Sequence, residues 1–214
     1  MLRRAFAITI AGIACLLMLD PAGAVNIAWD EAVNGSFSHD RLNPTPVAFV
    51  TGINDVIGTD GRSVAGGSVN PDYFTFTVPA GSALAAITVL PGTTAAGPLN
   101  DSFIGLEAGK QITLPTDTTT AAGLLGWFHF GPDDINTDIL PEMAIATQGS
   151  SGFAIPLGPG DYAVWVQETG VCAPILCSYA LAFTIVPEPA SGAMVLSGLG
   201  FFAALRRHRR TASS

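Results

Sequence analysis

The chain has 214 residues, 49% of them hydrophobic and only 12% charged, with a formal net charge of −8. Between its two apolar ends, Arg41, Arg62 and Lys110 stand against fifteen acidic residues, leaving −12 on the 162 residues from Val25 to Val186. Such a segment suits one domain with a sizeable core, and its charge repels phosphate backbones and anionic lipid head groups, which argues against nucleic acid as a partner. Divalent cations, neutral glycans and basic partners stay compatible, as does plain solubility outside the cell.

The N-terminus reads as a signal peptide over residues 1–24. Arg3 and Arg4 form a positive n-region, Ala5 to Leu19 an apolar run, and Ala22-Gly23-Ala24 an A-x-A site that places cleavage before Val25. Cys15 invites a lipid-attachment reading, set behind cleavage after Ala24 because the apolar run continues through Leu16-Leu17-Met18-Leu19. Residues 25–44 then read as an N-terminal extension, and residues 45–186 as the folded domain.

Within that domain the periodic segments are short, rich in Val, Ile, Phe, Tyr and Thr, and punctuated by Gly and Pro. Thr45 to Val50 is the first expected strand, and Gly52 to Asn70 an irregular Gly- and Asp-rich stretch. Asp72 to Val78 alternates, with Phe74, Phe76 and Val78 on one face and Tyr73, Thr75 and Thr77 on the other. Pro79-Ala80-Gly81 then predicts a turn to an antiparallel partner over Ala83 to Leu90. Ser102 to Glu107 and Gln111 to Leu114 flank a further turn, Thr116 to Ala122 is a polar loop, and Leu124 to Phe130 is a strand. Met143 to Ala146 fits either a short helix or a strand. Phe153 to Pro156 follows, and Gly160 to Val166 with Tyr179 to Ile185 reads as a closing hairpin. The expected class is all-β: an antiparallel sandwich or jelly roll flanked by the signal-peptide helix and a C-terminal hydrophobic, transmembrane helix.

Cys172 and Cys177 are the two cysteines of the exported segment, and an oxidising compartment makes them an expected disulfide. The ring they close is short, so its effect on the unfolded chain is about 2 kcal/mol.

The tail has three parts: Val186-Pro187-Glu188-Pro189, an uncharged run from Ala190 to Leu205, and a basic cluster with Arg206, Arg207, Arg209 and Arg210. A helix of this run reaches roughly 24 Å, below the ~30 Å hydrocarbon core, and Gly192, Gly198 and Gly200 weaken it further. The arginines should stay cytoplasmic and leave the rest outside. An ordinary single-pass anchor would share the last two parts. The three in this order resemble a PEP-CTERM sorting signal, spanning residues 187–210 with a tail at 211–214. That resemblance implies an exosortase as partner, transient anchoring in the inner membrane, cleavage near Pro-Glu-Pro, and a cell-surface or extracellular destination among bacteria that export polysaccharide.

A second resemblance rests on Asp72-x-Phe74-x-Phe76-x-Val78-Pro79-Ala80-Gly81, Gly160-Asp161-Tyr162-x-Val164-x-Val166 and Tyr179-x-Leu181-x-Phe183. It is similar to bacterial pre-peptidase C-terminal domains, β-sandwiches whose membership would imply an accessory or adhesive module without catalysis; the segment Asp133 to Ser151 departs from that form.

Candidate chemistry is sparse. Asp134, Asn136 and Asp138 have the two-residue spacing of oxygen ligands for a hard cation such as Ca²⁺, but Ile139 and Ile145 stand where an EF-hand needs Gly and Glu. An Asx-rich turn explains the same residues. Asp55, Asp60 and Asp72 could share a further site only if the fold gathers them. His129 should project opposite Phe128 and Phe130, with Trp127 on its own face, and His39 has no ligand spacing around it. Trp29, Trp127 and Trp165, with Tyr73 and Tyr162, could stack on sugar rings or simply fill a core. No HExxH, GxSxG or GxxxxGK[ST] motif occurs. The expectation is therefore a non-enzymatic surface or matrix protein without a cofactor. A glycan- or calcium-binding adhesive module and, further behind, a secreted hydrolase are the alternatives.

Overall fold

The computed structural model describes residues 25–61, 69–94, 102–115, 119–168, 172 and 176–188. In chain order they form β1 (Val25–Asp30), α1 (Glu31–Asn34), β2 (Thr45–Pro46), β3 (Gly52–Asp60), β4 (Asp72–Val78) and β5 (Ser82–Val89). There follow β6 (Ser102–Ala108), β7 (Gly126–Phe130), a 3₁₀ turn over Pro132–Asp134, α2 (Leu140–Met143), β8 (Gly160–Gln167) and β9 (Cys177–Pro187). The signal segment through Ala24, the loop 116–118 and everything from Pro189 onward, with the apolar run and Arg206 to Arg210, lie outside the described residues. Among those described, no helix is long and apolar enough to cross a membrane.

The strands make two sheets, β1-β3-β9-β5 and β2-β4-β8-β6-β7, as an all-β sandwich requires. Alternation along each strand sends Val56, Phe74, Phe76, Val78, Ile104, Leu106, Val164, Val166, Leu181 and Phe183 into one core between the sheets. The faces expected of β4 are those observed.

Partners differ from the expectation more than faces do. The sheets are not wholly antiparallel: β1 runs parallel to β3, and β2 to β4. Neither expected hairpin forms. β4 pairs with β8 and β5 with β9, so the turn at Pro79 to Gly81 carries the chain from one sheet to the other. β8 and β9 likewise lie in different sheets, because β8 is already flanked by β4 and β6 and β9 by β3 and β5. A two-residue period fixes which side chains point inward but does not say which strand lies alongside. Three residues suffice to bridge the ~10 Å between packed sheets, so a short connection need not make a hairpin.

Gly52 to Asn70, expected to be irregular, contains the nine-residue β3, paired with β9 from Gly52↔Ile185 to Asp60↔Cys177. Its inward positions include Asn54, Gly58 and Asp60, which conceal the strand in a hydrophobicity pattern. Conversely, Thr45 to Val50 supplies only the two-residue β2, and neither Gln111 to Leu114 nor Phe153 to Pro156 is a strand. Residues 25–44 contribute β1, α1 and the buried Phe37 to the sandwich.

The five-stranded sheet is covered on its outer face as well. There Tyr73, Ala163 and Trp165 meet Ile112, Leu114, Ala121 and Leu124 in a second apolar cluster. Glu107 fastens this cover: it accepts the Thr113 N–H at 2.9 Å and the Thr113 hydroxyl. Arg41 adds bonds from its guanidinium to the carbonyls of Ile112 (2.9 Å) and Thr113 (2.8 Å).

Candidate functional site

The acidic segment 133–138 does not gather its side chains around a common point. Asp134 Oδ2 accepts the Gly131 N–H at 2.9 Å, and Asp138 Oδ1 accepts from Ile87 N (3.0 Å) and Leu140 N (3.1 Å). Asn136, at φ +68°, donates its own N–H to the Val89 carbonyl at 2.8 Å. The segment thus edges β5 and starts α2 with these groups. Among the described residues, no set of three or more His, Cys, Asp or Glu is placed to hold a metal ion.

Cys172 and Cys177 form a disulfide with Cα atoms 5.2 Å apart. It sits where the chain crosses between sheets and not, as expected, in a hairpin loop. Val186 and Pro187 pair with Ala83 and Ser82 at the end of β9, and the Glu188 N–H reaches the Gly81 carbonyl at 2.8 Å. The Pro-Glu-Pro segment therefore begins where the sheet ends, with Pro187 and Glu188 exposed. Val25, at the expected signal junction, opens β1 and is 60% exposed.

The aromatic residues divide between core and surface. Tyr162 belongs to the main core, and Trp29 stacks on Phe37 at 5.3 Å. Trp127 and Trp165 instead lie on the outer face of the five-stranded sheet. Strand register puts Tyr73, Trp165, Gly105 and Trp127 in one row across β4, β8, β6 and β7, and Gln167, Phe103 and His129 in the next. Gly105 leaves room between the two tryptophans that the Phe103 ring and Leu124 fill: a Cβ on Gly105 would lie 2.9 Å from Phe103 Cζ and 3.1 Å from Leu124 Cδ1. Phe103 meets Trp165 edge-on at 4.8 Å and stacks on Trp127 at 6.1 Å, while Trp127 meets His129 edge-on at 5.4 Å.

These rings floor an open cavity of about 200 Å³. Leu114, Thr119, Thr120, Ala121, Leu124 and Gln148 complete its lining, which among the described residues contains no Asp, Glu, Lys or Arg. Gln148 adopts the left-handed conformation at φ +49°, fixed by its carbonyl accepting the Ala121 N–H (2.8 Å) and the Thr120 hydroxyl (3.1 Å). The Trp127 indole N–H reaches the Thr147 carbonyl at 3.4 Å. Fixed aromatic faces with a polar rim suit a ligand that has one apolar side and many hydroxyls. The sequence marked Trp127, Trp165 and His129, but not Phe103, Gly105 or Gln148. The available signal was a glycine in the middle of a strand, which marks close approach.

Between the sheets, β3 and β4 bring Asp60 and Asp72 inward at one end of the sandwich; Asp55, one step out of phase with Asp60, is not part of this group. Asp60 and Asp72 are both fully buried. Tyr179 donates its hydroxyl to Asp72 Oδ2 at 2.9 Å, but among the described residues Asp72 Oδ1 and both Asp60 oxygens have no hydrogen-bond donor. His39 Nδ1 is 3.8 Å from Asp72 Oδ1. Glu31 faces the same end with its oxygens taken by Phe37 N (2.7 Å), Thr59 N (2.8 Å) and the Thr59 hydroxyl (2.9 Å). Burial, then the negative charge of Glu31, pushes the Asp72 carboxyl up to about 9. Burial and the nearby Glu168 move Asp60 well above the usual carboxylate range. Asp72 therefore stays protonated at neutral pH, and the same burial favours the neutral form of Asp60.

A two-sheet β domain that ends on an exposed Pro187-Glu188 has the layout of a folded module placed ahead of a sorting segment. Residues 186–210 match the family model of the PEP-CTERM protein-sorting motif, and the chain carries that motif. The motif implies exosortase-dependent sorting of an exported protein through the cell envelope to the surface. Neither the curated proteins nor the solved structures yield a match.

Proposed function

We propose that this chain is a non-enzymatic surface or extracellular-matrix protein, trimmed by an exosortase and working among exported polysaccharide. The sorting motif at residues 186–210 carries the reading. In this account residues 1–24 are removed on export, and the run 190–205 holds the protein briefly in the inner membrane. Arg206, Arg207, Arg209 and Arg210 stay on the cytoplasmic side, and cutting near Pro187 to Pro189 releases the sandwich. The absence of nucleophile, zincin and phosphate-loop motifs from the sequence, with the accessory role implied by the likeness to pre-peptidase C-terminal domains, supports a role without catalysis.

Replacing Pro187, Glu188 and Pro189 together by alanine tests it. The native chain should reach the medium or the cell surface, and the substituted chain should accumulate in the inner-membrane fraction. Equal release of both would contradict exosortase processing at this motif.

A second reading, an adhesive module that binds glycan, is favoured by the aromatic cavity around Trp127. Its calcium counterpart has less support, because Asp134 and Asp138 already accept backbone N–H groups.

A further inference from the structure

We propose that the cavity beside Phe103 and Trp127 takes a single uncharged sugar ring of a neutral polysaccharide, with Trp127 and Phe103 as the stacking faces. The inference rests on the glycan-binding reading and specifies its site and ligand charge. Three observations carry it.

The first is shape. Gly105 lies in register between Trp165 and Trp127 and lets the Phe103 ring and Leu124 pack down between them, so that Phe103, Trp127 and Trp165 together form one side of the cavity. The cavity, about 200 Å³, falls below the range of drug-sized pockets and matches one ring, not a long groove.

The second is exposure. Trp165 is only 5% exposed, so it supports the floor. Phe103 and Trp127 are half-buried and line the open cavity. A pyranose presents C–H groups on one face and hydroxyls around its edge. The C–H face can cover these rings while His129, Thr119 and Gln148 meet the hydroxyls at the rim.

The third is charge. Among the described residues the lining has neither a cation to pair with a uronate or a phosphate nor a carboxylate to hold a basic sugar. The −12 of the exported segment further repels polyanions. Its walls are also fixed before any ligand arrives. Glu107 and Arg41 pin the Ile112–Thr113 cover, and the Gln148 carbonyl holds Ala121 and Thr120, so little ordering remains to be done on binding.

The test uses protein recovered from the cell exterior, titrated with neutral glucose-, mannose- and galactose-based oligosaccharides and with an oligouronate, followed by calorimetry and tryptophan fluorescence. At least one neutral oligosaccharide should bind, and Trp127→Ala should weaken it about tenfold or more. Trp29→Phe, on the far strand β1 where Trp29 packs against Phe37, should leave the affinity unchanged. His129→Ala changes an exposed side chain, spares the fold, and should weaken binding about threefold. Thermal melting of each variant separates lost binding from lost folding.

If neutral oligosaccharides bind but neither the Trp127 nor the His129 change matters, glycan binding survives and this site is wrong. If the oligouronate binds as tightly as the neutral sugars, the charge argument is overturned. If no sugar binds, both the site and the glycan-binding reading fall, while export and trimming, read from the same sample's mass, stand separately.

Discussion

Trp127 and Asp60 occupy environments that ordinary partition would exchange: an indole half in water and a carboxylate fully out of it. The aromatic face of the five-stranded sheet leaves apolar area uncovered, at a modest cost spread over several rings. The acidic end between the sheets buries three carboxylate oxygens without a donor among the described residues, which concentrates the cost in two residues and makes it depend on protons. The contrast separates an aromatic surface left partly uncovered from an interior that burial favours in the neutral form at Asp60 and Asp72. Neighbouring side chains should accordingly yield at the first and resist at the second.

The largest expected effect is the pH dependence of the acidic end. Unfolded aspartate loses its proton near pH ~4, whereas folded Asp72 retains it to about 9. Folding therefore takes up a proton across that window, so the Asp72 contribution is fully present below its unfolded pKa and fades as pH rises through the folded one. Each such group removes up to about 1.4 kcal/mol of stability per pH unit. Asp60→Asn and Asp72→Asn should each flatten this decline, Asp72→Asn keeping an oxygen for the Tyr179 hydroxyl. Urea unfolding at pH 5 and pH 8 reads the difference, and slopes equal to the native protein's would show that these carboxyls are not buried as neutral groups.

Next is a pair of identical substitutions, one in each region. Gly58→Ala would drive a Cβ into the fully buried Tyr179 ring, which has no room to move. It should cost about 2–3 kcal/mol by denaturant unfolding. Gly105→Ala meets the half-buried Phe103 ring at 2.9 Å, which can swing outward, and Leu124 Cδ1 at 3.1 Å, and should cost less, about 1 kcal/mol. Equal costs would erase the distinction between a fixed interior and a yielding surface.

Smaller effects follow. Cys177→Ser opens the disulfide beside Gly61 and should cost about 2 kcal/mol under oxidising conditions. Non-reducing peptide mapping should show Cys172 linked to Cys177 in exported protein. Tyr179→Phe removes the hydroxyl from Asp72 and should cost about 1 kcal/mol, measured at pH 5 where Asp72 is neutral.

The two regions were unequally legible in the sequence. Two-residue alternation gave the inward faces of β4, and the β-rich segments gave an all-β sandwich, because side-chain burial leaves a periodic trace. Strand partnership leaves none, so the turn at Pro79 to Gly81 and the Cys172–Cys177 crossing read as hairpins although each joins different sheets. β3 was hidden by the residues that serve the acidic end: Gly58 makes room for Tyr179, and Asp60 is a buried acid. Asn54, also inward, bonds backbone carbonyls of Val50 at 2.8 Å and Phe183 at 3.2 Å. Trp127, Trp165 and His129 were visible singly. Their meeting with Phe103 around Gly105 depends on β6 lying between β7 and β8, which is set by long-range pairing.

The central claim is that this sandwich is made for export and freed from a sorting tail, and the intact mass of protein recovered from outside the cell tests it most directly. The account predicts a species that begins at Val25 and lacks the apolar run and arginine cluster beyond Pro189. A full-length, untrimmed chain found free in the cytosol would contradict it.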